Sequence, residues 1–296
     1  DDYVQLLSND SAELQQLHED LLIGVTEFFR DEEAWETLGN EGITKLLQTC
    51  NDGEEIRAWV AGCSTGQEAY SLAHLFLAKQ RELGTDHRVR IFATDLDQKA
   101  LSKAATGLYA EADLVDMSAQ RRDDLFRCQE DGFKVHSELR KMIVFAPHDL
   151  LADAPFTRLH LITCRNLLIY LNPDSQRRIL SLFHFGLRTD GVLFLGPSES
   201  LAELVDEMFA INEPWKLYRK QRNLPLPERT RLKPRPPVIT SPVLHKQSTA
   251  ERMVRSEILG TYDRLLDEFM PCSLLVNERL ELIQVFGKAS RFLSLA

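Results

Sequence analysis

Trp59 to Glu68, W-V-A-G-C-S-T-G-Q-E, constrains the fold of this chain more than any other stretch. An apolar run, Ile56 to Ala61, leads into a loop with glycines at 62 and 66. Behind it, Ala69, Leu72, Ala73, Phe76 and Leu77 recur at helical spacing. Strand, glycine loop and helix in that order open a nucleotide-binding α/β domain, because glycine turns sharply and lets a ligand come close to the backbone. The glycines are four residues apart, so the loop departs from G-x-G-x-x-G, and it lacks the G-K-[ST] of a triphosphate loop. An ordinary strand-to-helix turn has the same pattern.

The 296 residues suffice for a full α/β domain and something smaller. No apolar run approaches the ~20 residues that span a bilayer, so membrane insertion is not expected. The chain opens on Asp1 without a basic and apolar leader, and reads as a cytoplasmic piece of a longer protein. Cysteines 50, 63, 128, 164 and 272 form no C-x-x-C pair and, with the histidines, no metal spacing. Isolated reduced thiols and no metal are the expectation. A net charge of −10 argues against general nucleic-acid binding.

Taken in order, residues 11–25 read as an amphipathic helix with Asp10 as its cap and Leu14, Leu17, Leu21 and Leu22 inside. Thr26 then reads as the N-cap of a short helix, with Phe28 and Phe29 facing the core. Arg30, after two aromatics, is either a ligand group or a solvated helix-end arginine. Residues 41–50 read as helix, and Val89 to Thr94 as a second strand ending in T-D-L-D. Asp95 suits ribose hydroxyls, since a carboxylate accepts both hydrogen bonds; capping the helix 98–105 is the alternative for Asp95 or Asp97. Leu125–Cys128, Phe133–Val135 and Met142–Ala146 read as strands of a small antiparallel insertion at about 107–146, locally basic through Arg121, Arg122, Lys134, Arg140 and Lys141. Asp149 follows that third strand and either meets a base amino group or opens a turn.

Leu159 to Thr163 reads as a buried strand, which sets Cys164, Arg165 and Asn166 at its carboxyl end, where open α/β sheets bind ligands. An arginine and an asparagine there are costly unless they find partners. A helix from Pro173 to about Leu187, a strand over Val192–Leu195 and a closing strand over Trp215–Lys220 complete a doubly wound pattern. Six of the twelve prolines fall between 225 and 242, so residues 223–249 read as an extended linker. Residues 250–270 read as a helix with Val254, Ile258, Tyr262, Leu265 and Phe269 on one face, and Ser273–Val276 with Leu280–Phe286 as a hairpin.

T-E-F-F-R-D at 26–31, A-G-C-S-T-G-Q-E-A-Y-S-L-A at 61–73, A-T-D-L-D at 93–97, C-R-N-L-L-I-Y-L at 164–171 and F-L-G-P-S-E-S-L at 194–201 closely resemble, in that order, the CheR-type chemotaxis receptor methyltransferases. The resemblance covers roughly residues 10–220. The segment from Glu257 resembles the start of the PAS-like region in CheB–CheR fusion proteins. It implies a class I S-adenosylmethionine (SAM)-dependent methyltransferase fold: α/β, doubly wound, a mostly parallel seven-stranded sheet over 51–222. Added to this are the small β-subdomain, a short helical N-terminal remnant over 1–50 and a PAS-like fragment over 250–296.

By the same resemblance, Arg30, Arg165 and Tyr170 are the catalytic candidates. Thr26, Arg30, Ala61, Gly62, Ser64, Gly66, Glu68, Asp95, Leu96, Asp149, Leu150, Cys164, Arg165 and Asn166 are the candidates for SAM. The implied reaction methylates glutamate carboxylates of a methyl-accepting chemoreceptor or related signalling protein and leaves S-adenosylhomocysteine. Two positions depart from the family pattern: Gly24 and Asp149 stand where asparagine is frequent. Few residues precede Thr26, so the family's basic receptor-docking helical domain is missing or replaced. Two other readings compete: a non-catalytic SAM-binding sensor coupled to the PAS-like region, and a nicotinamide-dependent oxidoreductase of the same fold class. The Arg30, Arg165 and Tyr170 set argues against the first, and the absent G-x-G-x-x-G against the second.

Overall fold

The computed structural model describes Glu13, residues 26–51, 53–115 and 117–223, and the strand residues 273–276 and 282–286. The rest of the helix expected over 11–25, the linker beyond Asn223 and the helix expected over 250–270 lie outside the described residues. Compact units divide the chain at Lys233 and Pro234.

In the first unit, α1 (Glu32–Thr37), a π-helical stretch (Leu38–Ile43) and α2 (Thr44–Thr49) precede β1 (Ile56–Ala61) and α3 (Gln67–Leu83). There follow β2 (Val89–Asp95), α4 (Gln98–Thr106), β3 (Leu108–Tyr109), α5 (Ala119–Leu125), β4 (Phe126–Gln129), β5 (Gly132–Val135) and α6 (Ser137–Met142). Then come β6 (Ile143–Pro147), β7 (Leu159–Cys164), α7 (Pro173–Gly186), β8 (Leu187–Leu195), β9 (Met208–Asn212) and β10 (Leu217–Lys220). The main sheet has seven strands in the order β6-β2-β1-β7-β8-β10-β9. β6, β2, β1, β7 and β8 are parallel, and β10 pairs antiparallel with both β8 and β9. This is the doubly wound, mostly parallel methyltransferase sheet expected above, with a separate antiparallel sheet β3-β5-β4.

Alternation along β1 explains the two-sided core. Ile56, Ala58 and Val60 join Leu72 and Phe76 of α3 on one face, while Trp59 and Ala61 join Ile179 and Phe183 of α7 on the other. β7 is buried along its whole length, as a central parallel strand must be. The strand order departs in both directions from β1 and β7, so a crevice opens beyond their carboxyl ends.

Three expectations are corrected. Thr26 caps no helix: residues 28–31 run as a turn and a bend, and α1 begins at Glu32 behind Asp31. Met142 to Ala146 is not a strand of the insertion. The segment is β6, parallel to β2 at the edge of the main sheet, because α6 reverses the chain before it. The closing strand begins at Leu217, and β9, which the sequence reading omitted, covers its outer edge. In the second unit, β11 (Ser273–Val276) and β12 (Leu282–Phe286) pair antiparallel.

Candidate active site

The loop after β1 is shaped by its glycines. Gly62 and Gly66 have φ of +76° and +96°, where any side chain is strained. A Cβ would also stand 2.7 Å from Leu167 Cδ2 at the first and 2.8 Å from Ala104 Cβ at the second. The Gly62 and Cys63 amides both donate to the Thr94 carbonyl of β2, at 2.8 and 2.9 Å. Ser64 is itself left-handed (φ 46°), and its amide donates to Asp95 Oδ2 at 2.8 Å. Asp95 Oδ1 accepts from the Asp97 amide at 3.0 Å. The helix cap is Asp97, whose carboxylate accepts from the Lys99 and Ala100 amides. Asp95 therefore stays half-buried at the strand end, with a second acceptor site on each oxygen, beside an exposed Leu96.

Opposite the loop lies the segment 26–31. Arg30 is flanked by two left-handed residues, Phe29 (φ 52°) and Asp31 (φ 61°). Non-glycine residues hold that conformation only where surrounding contacts over-determine it, and such contacts are present. The Phe29 amide donates to Ser71 Oγ at 3.0 Å, and its ring packs edge-on against Trp35 and His74. Arg165, at the end of β7, donates to the Arg30 carbonyl at 2.8 Å and to Asp31 Oδ2 at 2.6 Å. Its guanidinium lies 4.7 Å from the Phe194 ring centroid and 5.7 Å from that of Trp35. Arg165 thus staples the 26–31 segment to the sheet, and its buried Nε has no hydrogen-bond partner.

Glu68, at the start of α3, faces the same crevice. Thr163 Oγ1 donates to Glu68 Oε1 at 2.5 Å. Burial raises the Glu68 pKa above the ordinary carboxylate value, against the pull of Arg165, the Thr163 hydroxyl and Arg30. That pull places the Arg30 charge near Glu68. Glu199 is also buried and raised, although main-chain amides stabilise its charge. Burial and the neighbouring carboxylates push the Cys63 and Cys164 thiols well up, which leaves them inert at neutral pH.

Arg30 (through its carbonyl), Gly62, Ser64, Gly66, Glu68, Asp95, Arg165 and Asn166 come together through these contacts and the shared strand ends, while Thr26 makes none of them. The Ala61 and Cys164 side chains are fully buried, so only their backbone can meet a ligand. Asp149 opens a turn, its Oδ1 accepting from the Leu151 and Ala152 amides, while the His148 amide donates to the Asp95 carbonyl. Leu150 packs against the α7-side core. Tyr170 is 60% exposed, in a short 3-10 turn with Ile169. Sequence reasoning missed Asp31, Thr163 and Glu199 as parts of the site. Asp31 and Glu199 stood inside the quoted motifs, and Thr163 directly precedes C-R-N.

A cavity of about 290 Å³ lies at the opposite, amino-terminal ends of the strands, lined by Lys45, Leu46, Cys50, His160, Arg188 and Arg219 among others. Cys50, Glu54 and His160 come within 4.8 Å of one another there. Arg188 already donates to Glu54 Oε1 at 2.5 Å, so a guanidinium stands where a metal ion would. The Arg57 amide also donates to His160 Nδ1, and Arg188 Nη1 stands 2.7 Å from His160 Nε2. Among the described residues, Glu54 pairs with Arg188 and His160 at this end.

Residues 24–217 match a protein family described as "CheR methyltransferase, SAM binding domain". The chain is 34% identical over 205 residues to the chemotaxis protein methyltransferase of Listeria innocua, covering 69% of this chain and 76% of that protein. To the chemotaxis protein methyltransferase of Escherichia coli it is 33% identical over 214 residues, covering 68% and 70%. It is also 36% identical over 301 residues to the "Uncharacterized 104.1 kDa protein in hypE 3'region" of Rhodobacter capsulatus, covering 99% of this chain. The chain spans only 30% of that protein's length.

Proposed function

The chain belongs to the CheR methyltransferase family, and from that premise we propose that it methylates glutamate side chains of a chemoreceptor-like signalling protein, using SAM and leaving a γ-methyl ester and S-adenosylhomocysteine. The observation that carries this reading is the convergence of Asp95, Glu68 and Arg30 at the carboxyl ends of β1, β2 and β7, with carboxylates in excess. That donor set fits SAM, which has ribose hydroxyls, a cationic amino end and a carboxylate.

Asp95 would accept from the ribose hydroxyls, and Glu68 would face the amino end. Leu96, Leu150 and Asp149 would meet the base. Thr26, Asn166 and the backbone of Ala61, Gly62, Ser64, Gly66 and Cys164 would line the rest. Bound SAM supplies a methyl group activated by its sulfonium. A glutamate carboxylate is ionised at neutral pH, so the chain needs no general base. Its work is alignment. Arg30 would hold a carboxylate through a forked pair of hydrogen bonds, and the exposed Tyr170 would orient the incoming glutamate. Arg165, committed to Asp31 and the Arg30 carbonyl, would keep Arg30 in place.

The same reading extends to the rest of the chain. The basic side chains of the insertion would dock an acidic partner. Alignment of 99% of the chain with the 104.1 kDa protein supports membership of a larger protein, which we read as a CheB–CheR fusion continuing into a PAS-like region. A cytoplasmic location belongs to this reading; among the described residues no helix is long and apolar enough to cross a membrane. The test is incubation with methyl-labelled SAM and receptor fragments. Label released by mild base as methanol is the expected result, and base-stable label would overturn esterification.

A further inference from the structure

We infer that Glu199 is a positioning residue for cofactor binding: its buried carboxylate ties the loop after β8 to the left-handed turn after β7 that carries Arg165 and Asn166. The inference rests on the methyltransferase reading above.

Glu199 is 4% exposed, and its hydrogen bonds among the described residues all come from the main chain. One oxygen accepts from the Leu167 and Leu168 amides at 2.9 and 2.7 Å, and the other from the Gly196 amide at 2.7 Å. The Asn166 amide lies beside them and also favours the charged carboxylate. Asn166 is left-handed (φ 58°), so the chain leaves β7 with its amides aimed inward instead of along a ladder. Buried donors without partners are costly, and a single carboxylate gathers three of them. Gly196 completes the latch. A Cβ there would stand 2.9 Å from the Asn166 nitrogen and 3.1 Å from Glu199 Oε2, so the two loops meet through their backbones.

What rides on this turn is the site itself. Arg165 grips Arg30 and Asp31, and Leu167 abuts the glycine loop at Gly62. Glu199 therefore reaches three walls of the crevice without facing the ligand. The strands on either side are paired and buried independently of it. Its loss should register in SAM affinity more than in the fold.

Two variants strain the same latch from opposite sides. Glu199→Gln keeps the volume but turns an N–H donor toward the amides. Gly196→Ala keeps the carboxylate and forces the loops apart. Each is measured by calorimetry with SAM and by hydrogen exchange at Asn166, Leu167 and Leu168, well below its melting temperature. The expected result is an affinity for SAM about tenfold weaker and amide exchange about tenfold faster in both, with Glu199→Asp recovering part of the affinity. Wild-type SAM affinity in folded Glu199→Gln and Gly196→Ala would overturn the inference. If Glu199→Gln does not fold, Gly196→Ala decides alone. Failure of the unaltered protein to bind SAM would instead overturn the methyltransferase reading, and the exchange measurement would still decide whether Glu199 holds the turn.

Discussion

The two ends of the main sheet carry similar residues in opposite electrostatic states. At the amino ends, burial pushes the Glu54 carboxyl up, but Arg188 and His160 outweigh it and its pKa falls below the ordinary value. At the carboxyl ends, burial outweighs Arg165, the Thr163 hydroxyl and Arg30, and Glu68 rises. The difference lies in how the cations are committed. Arg188 bonds directly to Glu54, whereas Arg165 donates its hydrogen bonds to Asp31 and the Arg30 carbonyl. One end is closed on itself. The other leaves a buried carboxylate under-compensated, which is where a positively charged ligand gains most.

Removing Arg165 should break this contrast most severely. Arg165→Ala leaves Asp31 unpaired and frees the strained 26–31 segment, at a cost of about 3 kcal/mol in urea unfolding. A loss below about 1 kcal/mol would mean that the staple is not structural. Arg30→Ala should cut methylation about 100-fold through lost alignment. Its melting temperature should hold, because the carbonyl of Arg30, not its side chain, makes the bonds to Arg165 and Trp35. Asp95→Ala should weaken SAM binding about tenfold by calorimetry. Unchanged affinity would remove Asp95 from the ribose contact.

The smallest effect is in pH. Glu54 has a depressed folded pKa, so its contribution is present above its unfolded value, about 4.3, and is lost as pH falls through the folded value. Glu68 runs the other way: its raised pKa means that ionisation costs stability as pH rises through the folded value. Melting temperature on acidification should therefore fall less in Glu54→Gln than in the unaltered protein. Over mildly acidic pH, SAM affinity should weaken in the unaltered protein and less so in Glu68→Gln. Equal slopes in either pair would erase the contrast between the two ends.

Much of the architecture was legible because it is local. The apolar runs of β1, β2 and β7 announce buried parallel strands, and the Asp97 cap follows from a short acceptor side chain placed just before a helix. The candidate residues were found as motifs in a fixed order. What those residues touch was less legible. Thr26 looked like a helix cap because local preference favours it there. The chain instead passes through left-handed Phe29 and Asp31, held by Ser71 and by an arginine 134 residues away from Asp31. Met142 to Ala146 was recognisable as a strand, but which sheet it joins depends on the reversal by α6 and the edge offered by β2.

By itself, then, the sequence determined the alternation of strands and helices, the glycine loop from Gly62 to Gly66 and the positions of the ionisable groups. Backbone geometry and side-chain period act over a few residues, so these are written locally. Only the tertiary structure decided that Arg165 braces Arg30, that Glu199 gathers three amides and that Glu68 is under-compensated while Glu54 is paired. Burial, hydrogen-bond direction and charge balance depend on which distant segments meet.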